Sequence, residues 1–218
     1  MPFRHRLNSN NPTLLIRHQE SPTLAPAIIF DDTSTKVGIM SQLTGTYKLD
    51  PAHSSIGFTV RHAMVTKVRG EFTDHDATIT LTDDLAASTA QGTVRTASVD
   101  TRNEDRDAHV RGEDFFDVEK HPEMTFTSTA FNVDNAGNGT VTGDLTIKGT
   151  TKPVTFEVET FGVEEDPFGN TRIGFEASTS INRTDFGIDF QAPLNSGGML
   201  VSEKVAIEIE GSTIKQSA

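Results

Sequence analysis

The residues whose types could most readily carry out catalysis are Asp50, His53 and Ser54, the three residue types of an esterase triad. Neighbouring residues of an extended chain point in opposite directions, so His53 and Ser54 do not readily converge on one substrate. We interpret them as a pair that stabilises a turn. An esterase or isomerase that uses His62, His109 or a nearby aspartate is the enzymatic alternative, but nothing in the sequence requires catalysis.

The histidines at positions 53, 62, 75, 109 and 121 would suit a metal site, yet no pair has a recognised ligand spacing such as i, i+4 on a helix. The chain also has no cysteine, so we predict neither a metal site nor a cofactor. His62 shares the apolar face of its predicted strand. It is either a histidine whose hydrogen bonds are satisfied within the protein or a donor to the head group of a ligand.

The segment 101–122 combines many charges with two adjacent phenylalanines and is the one convincing helix signal in the chain. Thr101 or Asn103 can cap the helix, and Gly112 ends it. Arg106 and Asp107 either bind a phosphate head group at the rim of a pocket or form an internal ion pair that docks the helix. The predicted rim or lid residues are Arg106, Asp107, His109, Phe115 and Phe116.

The remainder of the chain alternates between apolar and polar residues, which is the pattern of strands with one wet face. We count about eight to ten such strands, joined by short turns. Clean alternation favours antiparallel pairing, and closure into a barrel would remove the exposed edges. The prediction is an all-β, lipocalin-like antiparallel barrel of about eight strands with one short helix inserted mid-chain.

The inward faces of these strands would be almost uncharged, and about eight strands enclose either a packed core or one small ligand. Periodicity alone slightly favours the packed core. If the barrel is hollow, the predicted ligand-binding residues are Phe58, Val60, His62, Met124, Phe126, Leu145, Ile147, Val154, Phe156, Val158, Ile173, Phe175, Val205 and Ile207.

The net charge of −12 argues against nucleic acid as a partner and predicts repulsion from anionic membranes. The apolar runs near the N-terminus are too short for a secretion signal or a membrane span, so we expect a cytoplasmic protein. Residues 1–40 have no consistent period and are expected to be a disordered extension, with residues 41–218 as the barrel domain. A sharper hypothesis is that translation starts at Met40.

Several motifs occur in the order typical of the YceI-like family, which the chain resembles over residues 45–211. They are Asp50-Pro51-Ala52-His53-Ser54, Ile56-Gly57-Phe58 with His62, Gly70-Glu71-Phe72, Arg106-Asp107 with His109, Asp114-Phe115-Phe116-Asp117, the run from Gly143 to Pro153, and Arg183-Thr184-Asp185-Phe186-Gly187-Ile188. The resemblance implies a lipocalin-like barrel with a long apolar cavity that binds polyisoprenoids or related amphiphiles. It also implies that an exposed edge between the first and last strands would allow homodimerisation.

We therefore predict binding, storage or transport of a long-chain apolar ligand, a polyisoprenoid or an isoprenoid-quinone-like lipid, and no enzymatic activity. The alternatives are the enzyme described above and a packed barrel with a structural or partner-binding role.

Overall fold

The computed structural model describes residues 43–217, which form one antiparallel sheet of eleven strands and one α-helix. The predicted N-terminal extension and the hypothetical start at Met40 lie outside the described residues. The elements are β1 (Gly45–Leu49), β2 (Ser55–His62), β3 (Thr66–Phe72), β4 (His75–Leu81), β5 (Thr89–Arg95), β6 (Val99–Asp100), α1 (Glu104–Arg111), β7 (Glu123–Val133), β8 (Asn138–Ile147), β9 (Thr150–Glu165), β10 (Thr171–Asn182) and β11 (Lys204–Lys215).

Eight of the strands close into a ring in the order β1-β4-β5-β7-β8-β9-β10-β11, because β1 also pairs with β11. β2 follows β1 after a 3-10 turn and pairs with an earlier part of β11, so β1 and β2 together act as one long barrel strand. β3 pairs with β2, and β3 and β4 together act as a second long barrel strand. β6 pairs with β3, and β5 and β6 together act as a third. The prediction of an antiparallel barrel of about eight strands with one short helix is confirmed.

One strand of the barrel, β3, does not follow the alternation that identifies the others. Its inward positions are Val68, Gly70 and Phe72, and its other face carries charged residues. A glycine in the middle of the inward face removes the apolar signal there. The strand exists because β2 pairs with it in register from Ile56 to His62.

The helix α1 covers a gap in the barrel wall at the upper end. We define the upper end as the one near His62. β7 begins at Glu123, which pairs with Arg95 of β5, and so it does not extend far enough to pair with β6. Within the described residues β6 therefore pairs with β3 alone. The segment between β6 and β7 crosses this gap. Arg111 fixes the segment to the sheet, because its guanidinium donates to the carbonyl oxygens of Ala97 at 2.8 Å and Val99 at 2.7 Å.

The start of α1 matches one of the two predicted caps, since the Asn103 side chain accepts a hydrogen bond from the Arg106 backbone N–H. Arg106 and Asp107 do not form the ion pair considered as an alternative. Both bind Thr101: Asp107 accepts from its backbone N–H at 2.8 Å and from its hydroxyl at 2.5 Å, and Arg106 donates to its hydroxyl and carbonyl oxygens at 2.7 and 2.6 Å. Thr101 is therefore bound by both the Arg106 and the Asp107 side chains.

Two clusters of buried apolar side chains lie within the barrel, one toward each end. The lower cluster closes the end opposite α1, where the Tyr47 hydroxyl donates to the Leu43 carbonyl oxygen at 2.9 Å. The upper cluster packs beneath α1 and includes Phe72, Met124, Leu145, Phe156 and Phe186. Within residues 43–217, no helix has both the length and the apolar character needed to span a bilayer.

Candidate ligand-binding cavity

A cavity of about 530 Å³ occupies the barrel between and beside these two clusters. Phe58, Phe126 and Phe175 point inward from β2, β7 and β10, yet each keeps part of its surface uncovered. A close-packed core would bury such rings completely. The interior is therefore hollow, and its volume lies in the usual range for small-molecule sites, roughly 300–1,000 Å³.

Three inward-facing glycines explain why these large rings do not fill the barrel. Gly70 lies against the Phe58 ring on the neighbouring strand, and Gly211 has the same relation to Phe175. Gly143 likewise lies against Phe126. A Cβ atom at any of these glycines would overlap the ring beside it, so each ring rests in a space left by a missing side chain. The rings thus lie along the wall and leave the centre open.

The predicted wall residues lie around this cavity with one exception. Val154 faces inward from β9 and packs within the upper cluster, but it does not reach the cavity surface. The predicted residues that line the cavity are Phe58, Val60, His62, Met124, Phe126, Leu145, Ile147, Phe156, Val158, Ile173, Phe175, Val205 and Ile207.

The mouth of the cavity is at the upper end. His62 and His109 line the cavity there and are also exposed, whereas Tyr47, Leu81 and Thr213 at the lower end are buried. His62 pairs with Val201 of the segment that follows β10, so this segment forms the other side of the opening.

An aromatic cluster closes part of the mouth. The rings of Phe115 and Phe190 lie 5.0 Å apart, and the His109 ring lies 5.1 Å from each, edge-on to both. Phe116 packs edge-on against Phe72 inside the barrel, with centroids 5.6 Å apart. Four of the five predicted rim residues therefore border the cavity, while Asp107 is buried against Thr101 and does not.

The charged side chains of the wall are also near the mouth. Arg106 borders the cavity while its guanidinium is anchored on Thr101. Arg183 is buried and donates to the carbonyl oxygens of Ile188, Val201 and Ser202. Burial lowers the pKa of the Arg183 guanidinium from its ordinary value, although the ordinary value is so high that the group stays charged at neutral pH.

The residues of the hypothetical triad serve the fold. The Ser54 hydroxyl accepts a hydrogen bond from the Ser212 backbone N–H at 3.0 Å, which ties β2 to β11. Asp50 contacts both His53, at 2.9 Å, and Arg172, at 2.7 Å, and the Arg172 hydrogen bond lowers the Asp50 pKa to about 2. Within residues 43–217, no group of three or more histidine or acidic side chains is placed to hold a metal ion.

Several residues of the cavity wall are not among the predicted ligand-binding residues. Some of them show strand alternation in the sequence, and others show no pattern. Ile79 and Leu81 alternate on β4 just as the predicted residues do on their strands. Phe190, Leu200 and Val201 also line the cavity, but they belong to a segment without strand or helix periodicity. Only the fold of that segment across the mouth brings them to the site.

The sequence of this chain is similar to the sequences of known proteins. A UPF0312 protein of Staphylococcus epidermidis is 39% identical over 164 residues, covering 74% of this chain and 93% of the relative. The YceI protein of Escherichia coli O17:K52:H18 is 40% identical over 151 residues, covering 68% of this chain and 78% of the relative.

Solved structures show the same fold. BcnA of Burkholderia cenocepacia superposes with a TM-score of 0.64 at 25% identity, covering 75% of this chain and 98% of BcnA. A polyisoprenoid binding domain from Saccharophagus degradans gives a TM-score of 0.57, with coverage of 78% and 98%, but its 17% identity shows the fold alone. The model of the YceI-like domain matches residues 47–213, and the chain belongs to the YceI-like family.

Proposed function

We propose that this protein binds a long-chain apolar molecule, a polyisoprenoid or an isoprenoid-quinone-like lipid, inside the barrel and stores or transports it. The observation that carries the proposal is the hollow interior, whose wall is almost entirely apolar although the chain as a whole is strongly acidic. The Saccharophagus degradans structure is described as a polyisoprenoid binding domain, which agrees with this ligand class.

The free energy of binding would come from burying hydrocarbon. Each buried methylene contributes about 0.8 kcal/mol, so ten of them contribute roughly 8 kcal/mol before the entropic cost of association. The cavity extends along β11 from Val205 to Thr213, a distance of about 27 Å along the strand at roughly 3.4 Å per residue. A long, narrow chain suits this space better than a compact ligand.

The polar end of such a lipid would remain at the mouth. His62 and Arg106 border the opening and carry hydrogen-bond donors, which suit the oxygen atoms of a phosphate or a quinone. The His109 ring nitrogen Nε2 lies 2.9 Å from the Asp114 carboxylate and is occupied by that contact. We therefore assign head-group contact to His62 and Arg106, and closure of the mouth to His109, Phe115 and Phe116.

Native mass spectrometry of the freshly purified protein, followed by solvent extraction, tests the proposal directly. We expect an added mass that resolves into a long-chain lipid, and rebinding of the same lipid after extraction. A bare protein that stays bare after incubation with polyprenyl lipids would refute the proposal.

A matched pair of substitutions on β9 tests whether the cavity holds the lipid. Phe156 points inward and is buried, whereas Phe161 lies at a bulge, points outward and is 49% exposed. We expect Phe156→Asp to abolish lipid retention because it places a carboxylate in the apolar wall, and Phe161→Asp to retain it. Circular dichroism checks that both are folded; a folded Phe156→Asp variant that keeps the lipid contradicts the assignment.

A further inference from the structure

Three exposed apolar side chains form a lip at one side of the cavity mouth. Met64 and Val65 are in the turn between β2 and β3 and are 52% and 76% exposed, and Met199 is 43% exposed. His62 pairs with Val201, and the Ala63 N–H donates to the Leu200 carbonyl oxygen at 2.7 Å. This pairing brings the turn that carries Met64 and Val65 next to the segment that carries Met199. We call Met64, Val65 and Met199 the apolar lip.

The turn that carries the lip is not built from the residues that its backbone favours. Ala63 and Met64 have φ angles of 49° and 62°, in the left-handed region where glycine, asparagine and aspartate are favoured. Methionine and valine at such a solvent-exposed turn add no packing to the core. The turn therefore combines an unfavourable backbone with apolar side chains that are exposed beside the mouth.

Basic residues flank the apolar lip. Arg61 and Lys67 lie directly opposite each other on β2 and β3, and Arg69 follows Lys67 on the same face. All three are exposed, and no carboxylate of residues 43–217 lies within 4.0 Å of their charged groups. Like charges in directly opposed positions destabilise a sheet. The sequence 51–70 contains no aspartate or glutamate at all, although the whole chain carries a net charge of −12.

We propose that the apolar lip and its basic flank dock the mouth of the barrel onto an anionic lipid bilayer. This inference rests on the proposed function, because a ligand that dissolves poorly in water must be collected from a membrane or delivered to one. Exposed apolar side chains can enter the head-group region, and each nearby lysine or arginine adds attraction to anionic lipids. An apolar patch with a basic border fits a bilayer, whereas an apolar patch alone would fit many surfaces.

The overall acidity of the protein is consistent with this docking. Charges that lie more than a Debye length from the bilayer, about 8 Å at physiological salt, are largely screened. Contact through residues 61–69 places the basic flank within that distance, so these charges act on the bilayer with little screening. Acidic side chains near the mouth, such as Asp114 beside His109, oppose this attraction, and the exposed side chains of the apolar lip add to it.

Flotation with vesicles tests the proposal. The wild-type protein is mixed with vesicles of pure phosphatidylcholine or of an equimolar mixture with phosphatidylglycerol, at low and at high salt. We expect binding to the anionic vesicles that weakens as salt rises. Arg61→Gln with Lys67→Gln should lower the affinity by about 30-fold, since each basic group near the surface is worth roughly a factor of five.

Met64→Asn with Val65→Ser tests the apolar lip separately, because asparagine tolerates the left-handed backbone and the fold is kept. We expect this variant to lose binding to the anionic vesicles. The control Lys48→Gln with Lys215→Gln removes two exposed charges at the lower end of the barrel, away from the mouth, and should bind like the wild type.

The outcomes separate docking from ligand binding, because lipid uptake is measured in parallel with the ligand added from ethanol and without vesicles. Normal uptake with no vesicle binding, or vesicle binding that is unchanged in both the basic-flank variant and the apolar-lip variant, overturns the docking proposal and leaves the proposed function intact. A wild-type dimer that becomes monomeric in Met64→Asn with Val65→Ser, without vesicle binding, would show that the lip is an interface between two copies and would also overturn it.

Discussion

Gly92 offers a way to fill the cavity without disturbing the barrel. It faces inward from the middle of β5, and a Cβ atom there would meet only the Asp76 carbonyl oxygen at 3.7 Å and the Ala77 Cβ at 3.8 Å. Both distances are ordinary van der Waals contacts, and the backbone is in a region open to any residue. Gly92→Leu should therefore place its side chain in the cavity.

The substitution should change ligand affinity and protein stability in opposite directions. The four carbons of the new side chain occupy the space of about three or four ligand methylenes, so binding weakens by about 2.4 to 3.2 kcal/mol, or roughly 60- to 200-fold. The leucine covers apolar wall and replaces a glycine within a strand. We expect the free energy of unfolding to rise by about 1 to 3 kcal/mol in the absence of ligand.

Titration of a fluorescent polyprenyl analogue measures the first effect, and urea unfolding of the lipid-free protein measures the second. Thr89→Leu is the matched control, because it adds the same side chain to the exposed face of β5. Unchanged affinity in Gly92→Leu would show that the ligand does not occupy this part of the barrel. A loss of stability would show that the wall is packed at Gly92 and that our description of the cavity is wrong.

The remaining predictions concern the ties that hold the barrel and its helix. Arg172 donates to Asp50 and Asp166 and lowers the pKa of both carboxyl groups, so their contribution to stability is present above the unfolded-state value of about 3.9 and is lost as the pH falls toward about 2. Urea unfolding across that range should show this loss in the wild type and a smaller pH dependence in Arg172→Gln; parallel pH profiles would exclude the ion pairs as its source. Asp107→Ala should cost about 1 to 3 kcal/mol, because it leaves the buried Thr101 N–H without an acceptor, and should speed hydrogen exchange in α1. Asp107→Asn keeps an acceptor and should recover part of both effects, and equal exchange in all three proteins would contradict this role for Asp107.

Much of this fold follows from local sequence patterns. Alternation at Phe58 and Val60, or at Phe156 and Val158, places apolar side chains on one face of a strand whatever its partner. Asn103 and Gly112 mark the ends of α1 through chemistry confined to a few residues. Strand number, helix position and nearly all of the cavity wall could therefore be predicted.

Other features depend on contacts that strand alternation and helix capping do not predict. β3 has little periodicity of its own, and a side chain at the inward position of Gly70 would overlap the Phe58 ring of the neighbouring strand. Arg106 and Asp107 have a sequence that suits an ion pair, but the chain turns so that both reach Thr101. No local rule could choose between these arrangements.

Strand alternation establishes that the inward faces are apolar, and this is equally true of a packed barrel and a hollow one. The packing of side chains from different strands distinguishes the two, because a cavity is the space that remains after those side chains have met. Gly143 and Gly211 leave room for the rings of Phe126 and Phe175 along the wall, and the centre stays open. The position of the mouth also depends on contacts between distant segments. Pairing of His62 with Val201 joins segments about 140 residues apart and places the apolar lip beside the opening.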